Sequence, residues 1–370
     1  MERRWNPEPI SKAFAKAALD PSAWVDALDI VAKATGSAGA ILLPKYNRLP
    51  GVPFSEGIAE ASEAYFREGW AQHDPRDIGL RELVRQGVGN DFTSLSPERI
   101  SKDPYYQEFL RRFGLQWYGC IGFEVGDDYW FVSIQRTAGQ QPFSERELRQ
   151  LWSLRPVLSS AGTVARALSF AHAKGLADGL DLINQPAFIV GADGRVLEFN
   201  SAARNVLSPR LSIKDGRLVT PSADANARIA KLVHAVVTMD QQPAPVLLNM
   251  PGAVAMTVHA ISLPKADHLF GPAAAIVLLT PLHVSAPPPE ALLAIMFGLT
   301  PAEAKITVLL AHGTELGAVA QSRCISKDTA RNHLKAILRK TACNRQIDLA
   351  RLLEKLSMFH RSTSGWDRGI

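Results

Sequence analysis

Residues 325–340 read ISKDTARNHLKAILRK, and the spacing of their side chains decides what the C-terminal part of the chain must be. Ala330, Leu334, Ile337 and Leu338 recur at helical spacing and so share one face. Lys327, Arg331, Lys335 and Arg339 recur every four residues. At roughly 100° per residue each such step winds the stripe by about 40°, which keeps the four cations together on the opposite face. Lys340 extends the stripe, and Ser326 stands where an N-cap belongs. The stretch predicts a helix with an apolar inner face and a basic outer face.

The residues around it predict three more helices. Thr300, Pro301 and Glu303 form a helix start with an N-cap, a first-turn proline and a reciprocal third residue. That helix runs to about Ala311, buries Ile306, Leu309 and Leu310, and stops at Gly313, where a left-handed residue is needed. Residues 315–323 form a short second helix with Leu316, Val319 and Ala320 inward, and Cys324-Ile325 turns the chain. Residues 345–356 form a fourth, with Ile347, Leu349, Leu352, Leu353 and Leu356 as its apolar side.

Charge separates this module from everything before it. From Glu290 to Ile370 there are 12 Lys+Arg and 7 Asp+Glu, whereas the first 289 residues hold 29 of each. The whole net charge of +5 thus sits in the last fifth of the chain. A polyanionic partner is expected there and nowhere else. Three cysteines at spacings of no zinc or disulfide pattern point to a reducing compartment, the cytoplasm. Arg3-Arg4 is not followed by an apolar run of signal length, because Lys12 and Lys16 interrupt it. Prolines and Gly252 break the uncharged stretches 241–264 and 269–289 into strand-sized pieces, so no membrane span is expected.

Upstream, residues 1–20 are weakly patterned and read as an arm. Helices are expected over 24–34, 55–70 and 103–113, and a buried strand over 38–43. His73-Asp74-Pro75 reads as a turn, in preference to an acid–base pair. Residues 116–125 and 129–137 alternate around Gly126-Asp127-Asp128 as a hairpin. Residues 144–168 form one helix, opened by the Ser144/Glu147 capping box and kinked at Pro156. Trp117, Tyr118, Phe123, Tyr129, Trp130 and Phe131 are expected to pack the hairpin on its helices with one face to water; lining a pocket for an aromatic or acyl ligand is the alternative.

From Leu180 the pattern becomes LINQPAFIV, an Asp193-Gly194 turn, a return strand over 195–199, and a helix capped by Asn200. A turn at Asp215-Gly216, a helix over 223–239 and strands over 245–250, 253–263 and 273–280 complete it. Ser285-Ala286-Pro287-Pro288-Pro289 is a stiff, extended linker.

Three family resemblances follow from these residues. DPYYQEFLRRFGL, the hairpin ending in Gln135-Arg136, and PFSERELRQLWSLRPVLSSA resemble a GAF-like sensory domain. FIVGADGRVLEFN, residues 188–200, resembles the PAS fold. The stretch from Leu299 to Leu353 resembles the LuxR-type helix-turn-helix domain, on Leu299-Thr300, Glu303, Leu309, Gly313, Ala320, Ile325-Ser326, Thr329, Asn332-His333-Leu334, Lys340 and Leu349. It departs from that pattern at Cys324, where the family has a turn Gly, at Arg323, where it has Leu, and at Ala330, where it has Val. The implied fold class is α+β sensory domains with antiparallel sheets, followed by an all-α four-helix module. The implied boundaries are 1–170 GAF-like, 176–284 PAS-like, 285–290 linker and 291–370 helix-turn-helix.

The last resemblance implies double-stranded DNA as partner, read in the major groove by the third helix. It places Lys327, Thr329, Arg331 and Asn332 at base edges or nearby phosphates and Lys335, Arg339 and Lys340 at phosphates, with Thr300 and Ser326 among the DNA-contacting residues. It implies a homodimer and admits RNA polymerase as a further partner and a small-molecule ligand for the N-terminal domain. No enzyme is expected: there is no G-x-x-x-x-G-K-[ST], no nucleophile–base set, and about 80 residues after the linker cannot hold a kinase ATP-binding domain. A receiver domain's acidic pair is likewise missing. No cofactor or metal is expected; the PAS-like segment has no Cys for a flavin adduct, and His234 and His259 are isolated. The alternative is a signalling protein whose C-terminal helices contact protein.

Overall fold

In the computed structural model, which describes residues 5–46, 48, 50–239, 243–249, 255–263, 269–282 and 288–363, two larger antiparallel sheets pack on one long helix, and a group of helices follows at the C-terminal end. Arg3-Arg4, residues 285–287 of the linker, and the strand ends expected at 250 and 253–254 lie outside the described residues.

The chain opens with α1 (Pro7–Ala17), where the sequence reading expected an arm. Asn6 caps it by accepting from the Glu8 N–H, and Ile10 and Phe14 are fully buried. Two of its four buried side chains are alanines, which is why its periodicity is faint. α2 (Ala23–Thr35) packs on it and ends at Gly36 with φ 66°. Next come β1 (Gly39–Pro44), α3 (Ala59–Arg67), α4 (Leu80–Gln86), β2 (Val88–Asn90), α5 (Asp91–Ser94) and α6 (Pro97–Lys102). The helix expected over 103–113 is wound as a π-helical turn, Tyr105–Leu110, and Gly114 closes it at φ 68°. β3 (Leu115–Val125) and β4 (Asp128–Thr137) are the expected hairpin. The first sheet runs β1-β4-β3-β2.

This sheet is covered on both faces, so the hairpin does not show one face to water as expected. Along β1, Ala40 and Leu42 join the core formed by α1 and α2, while Ile41 and Leu43 join a second core with Tyr65, Tyr105 and Phe109. Tyr118, Phe123, Trp130 and Phe131 are buried, and Trp117 and Tyr129 half-buried.

Pro156 does not kink a continuous helix. α7 (Glu145–Trp152) ends, and Pro156 sits in the first turn of a new helix, α8 (Arg155–Asp181). There its missing N–H costs nothing. At 27 residues α8 is about 40 Å long and runs 13 residues past the expected end. Its small residues allow close approach to both sheets. Gly162 lies against β3, where an added Cβ would meet Val125 at 2.4 Å, and Ala173 and Ala177 are buried against Ala187, Ile189 and Ile276. The 170/176 division expected from the sequence falls inside this helix.

The second sheet runs β6-β5-β11-β10-β9. Its strands are β5 (Ala187–Gly191) and β6 (Val196–Phe199), then, after α9 (Ser201–Val206), the β7 (Ser212–Lys214)–β8 (Arg217–Val219) hairpin and α10 (Ala223–Met239), come β9 (Val246–Leu248), β10 (Met256–Ser262) and β11 (Ala273–Pro281). Asn200 ties the unit together. Its Oδ1 accepts from the Ala203 and Ala187 N–H groups, and its Nδ2 donates to the Ala177 and Gln185 carbonyls. Just before β11, Phe270 leaves this unit and enters the core of the first. Its ring centroid lies 4.9 Å from that of Trp24 and 4.7 Å from that of Trp130. The two units therefore share buried surface.

Five helices follow: α11 (Glu290–Phe297), α12 (Pro301–Ala311), α13 (Leu316–Ser322), α14 (Lys327–Lys340) and α15 (Gln346–Thr363). They close on one core of Leu293, Ile306, Leu310, Val319, Ile337, Leu349 and Leu353. The sequence does not announce α11, because after Glu290 its ALLAIMF is apolar on every side and carries no amphipathic period. Among the described residues no single helix is long and apolar enough to cross a membrane.

Candidate nucleic-acid interface

The geometry of α14 is set at both ends by local chemistry. Ser326 Oγ accepts from the Thr329 N–H at 3.0 Å, giving the expected N-cap, and lies 2.8 Å from Thr329 Oγ1. The preceding turn is made by Cys324 in the left-handed region, φ 54°. Its N–H donates to the Gln321 carbonyl and the Ile325 N–H to the Ala320 carbonyl, at 3.1 and 3.0 Å. This is the hydrogen-bonded stop that glycine normally makes. Cβ in this region costs roughly 1–2 kcal/mol, and here a cysteine bears it. The stop after α14 repeats the device with Ala342 at φ 53°. By contrast Gly298 and Gly313 end α11 and α12, at φ 62° and 76°.

Ala330 and Ile337 are fully buried, and Leu334 and Leu338 half-buried. Lys327, Thr329, Arg331, Asn332, Lys335 and Arg339 are all exposed. Arg331 pairs with Asp328 one turn back, at 3.0 Å, a contact worth only a few tenths of a kcal/mol in water. His333 is half-buried.

Lys340 is placed differently. Its Nζ lies 2.7 Å from Glu303 Oε2, and its side chain is 28% exposed. The same carboxylate accepts from the Thr300 N–H at 2.7 Å, while Thr300 Oγ1 accepts from the Glu303 N–H. Burial pushes the Glu303 pKa up, but the hydrogen bonds from Lys340 and Thr300 outweigh it and hold the carboxyl below its ordinary value. Thr300 and Lys340 thus gather at one end of α14, while Ser326, Lys327 and Thr329 lie at the other, about 20 Å away. Ile347, expected on the buried side of the last helix, is instead 57% exposed, as is Ile295 of α11 at 82%.

A second polar site escaped the sequence reading. Asp74, read as a turn residue, does cap the turn Pro75–Gly79, and its carboxylate is also buried in a bidentate pair with Arg76, at 2.9 and 2.8 Å. Tyr65 donates to Asp74, Arg48 donates to Tyr65 and Asp77, and Arg76 donates to Tyr105. The Arg76 guanidinium lies between the Tyr105 and Tyr118 rings, 4.7 and 4.6 Å from their centroids. Burial opposes ionisation of Asp74, yet Arg76 and Arg48 overcome it and its pKa falls. Burial wins at Asp91, whose pKa is pushed up to about 6 although it accepts from Tyr118 N–H and Tyr106 OH. Beside this network lies a small cavity of about 30 Å³, lined mainly by Ile41, Leu43, Ile58, Ala61, Phe109 and Leu110. None of the six hairpin aromatics singled out from sequence lines it. Among the described residues no group of three or more His, Cys, Asp or Glu is placed to hold a metal; His234 is exposed and His259 half-buried.

No family model matches the chain, and no curated protein matches it. Distantly similar solved structures include two complexes. One is the phage VqmA–DPO complex, at 17% identity over 52% of this chain and 92% of that one, with a TM-score of 0.21. The other is the E. coli DhaR(N)–DhaL complex, at 12% identity over 76% of this chain and 94% of that one, with a TM-score of 0.23.

Proposed function

We propose that this chain is a cytoplasmic DNA-binding transcription regulator. In this reading residues 291–370 are a LuxR-type helix-turn-helix domain, joined by the linker 285–290 to PAS-like (176–284) and GAF-like (1–170) sensory units. α14 enters the major groove of double-stranded DNA, with Lys327, Thr329, Arg331 and Asn332 toward base edges and Lys335 and Arg339 toward phosphates. Thr300 and Lys340 belong to the contact set from the family resemblance; their mutual anchorage through Glu303 gives them a positioning role first.

One observation carries the reading. The exposed side of α14 holds Lys327, Lys335 and Arg339, three cations that make no ion pair within the described residues, opposite an apolar face on which Ala330 and Ile337 are fully buried. Being unpaired, they are free to meet phosphate oxygens. The exposed Ile347 on α15 suits contact between two copies, and a dimer would read two half-sites. RNA polymerase is the further partner that activation by such a regulator would require.

Footprinting of the full chain on the DNA upstream of its own coding sequence tests this. Protection of two half-sites, lost when Lys327, Arg331 and Lys335 are changed to Gln, is the expected result. Exposed Ile295 and Ile347 favour a second reading, in which these helices bind protein instead; it gains if no protection occurs at low salt.

A further inference from the structure

Between the first half of α10, the end of β5 and the β7–β8 hairpin lies a groove of about 520 Å³. Its wall is aliphatic. Half-buried Val196 and Val219 and exposed Ala230 line it, backed by Leu218, Ile229 and Val233, and it has no Phe, Tyr or Trp. Asn226 uses both of its amide atoms on Thr220, accepting from its N–H and donating to its carbonyl. Asp193 is the one carboxylate among the lining residues; it accepts from the Arg195 N–H at 3.0 Å and pairs with Arg195 Nε at 3.3 Å. His234, at the rim, has an interaction of its own. Arg217 is the one Lys or Arg in the lining, and its exposed guanidinium makes no hydrogen bond or ion pair among the described residues. It lies across the Asp193-Gly194 turn, where a Cβ on Gly194 would meet Arg217 Nη1 at 3.0 Å.

The geometry points to this groove as the binding site of a small carboxylate with an aliphatic body, an acyl chain that ends in an ionised carboxyl group. The carboxylate accepts from the Arg217 guanidinium, whose planar fork matches it. The chain lies along Val196, Val219 and Ala230. Charge decides for an anion: the one cation of the lining lacks a counter-ion, whereas its one carboxylate already has Arg195. The absence of aromatic side chains from the wall decides for a chain over a ring. At about 520 Å³ the groove falls within the usual range of small-molecule sites, ~300–1,000 Å³. This assignment gives the PAS-like unit a ligand class; it rests on the sensory part of the function proposed above and is independent of DNA binding.

The test uses the full chain and three eight-carbon probes in ligand-observed NMR: octanoate (anion), octanamide (neutral) and octylammonium (cation). Octanoate is expected to bind most tightly and octylammonium least. Arg217→Gln should weaken octanoate about fivefold and leave octanamide unchanged. Ala230→Trp adds bulk at an exposed helix position and should abolish binding of both by filling the groove. The ranking in the native chain needs no variant, so a poorly folded substitution does not decide the matter. Absence of octanoate binding, or binding of octanamide or octylammonium as tight as octanoate, overturns the assignment. So does octanoate binding that survives Arg217→Gln or Ala230→Trp unchanged, which would put the chain elsewhere. Footprinting without any probe reads the DNA proposal separately, so either can fail alone.

Discussion

Lys340 Nζ and Glu303 Oε2 lie 2.7 Å apart, which ties the C-terminal end of α14 to the first turn of α12. The stripe of cations on α14 is therefore not uniform: its last member holds the helix in place, and the others face solvent. Lys340→Ala is expected to cost about 2 kcal/mol of stability, because it removes a charge-assisted hydrogen bond from a buried carboxylate. Arg339→Ala, one residue away, should cost under about 0.5 kcal/mol. Urea denaturation of both variants checks the difference. Since the Glu303 pKa is depressed in the folded state, this contribution is present above the ordinary Glu range and is lost as pH falls through the folded value.

Cys324 turns the chain with φ 54°, a conformation that favours glycine. Cys324→Gly is expected to stabilise the C-terminal helices by about 1 kcal/mol, the relief of strain exceeding the added freedom of the unfolded chain. The side chain is exposed, so DNA binding should be unchanged. A lower melting temperature in this variant would show that the thiol supplies a contact larger than the strain.

Phe270 fills a space between Trp24, Phe123 and Trp130. Phe270→Ala should cost about 3–5 kcal/mol, as buried Phe truncations do. Because Phe270 comes from the second unit and its neighbours from the first, the variant should also separate one unfolding transition into two. Calorimetry of the full chain reads both effects.

Asp91 has its pKa raised to about 6 by burial. The folded state then binds a proton that the unfolded state has released between roughly pH 4 and 6. Its contribution is fully present below the unfolded pKa and is lost as pH rises through 6. Relative to Asp91→Asn, the native chain should therefore lose on the order of 3 kcal/mol between pH 4 and 7. Denaturation curves of both proteins across that range give the difference directly, free of carboxylates common to both.

How much of this was readable beforehand depends on the range of the interaction. Caps such as Ser144/Glu147, Thr300/Glu303 and Ser326 need three or four residues, and all three form as read. The β3–β4 hairpin likewise follows from its turn. The exposure of Lys327, Lys335 and Arg339 follows from helical period alone. The Arg76 network does not, because Arg48, Tyr65, Tyr105 and Tyr118 approach it from four separate elements, and nothing in their spacing marks them. Phe270 is one apolar residue between Leu269 and Gly271 and shows no period. The extension of α8 to Asp181 was hidden because Ala173 and Ala177, its buried positions there, contrast weakly with the rest of the helix.

The central claim is that the outer face of α14 meets DNA phosphates. The most direct measurement is the salt dependence of DNA affinity for the native chain and for Arg331→Ala/Lys335→Ala. Each phosphate contact contributes about 0.9 to the slope of log K against log salt, so the double variant should be shallower by about two. An unchanged slope, with the fold intact by circular dichroism, would contradict the assignment of this face.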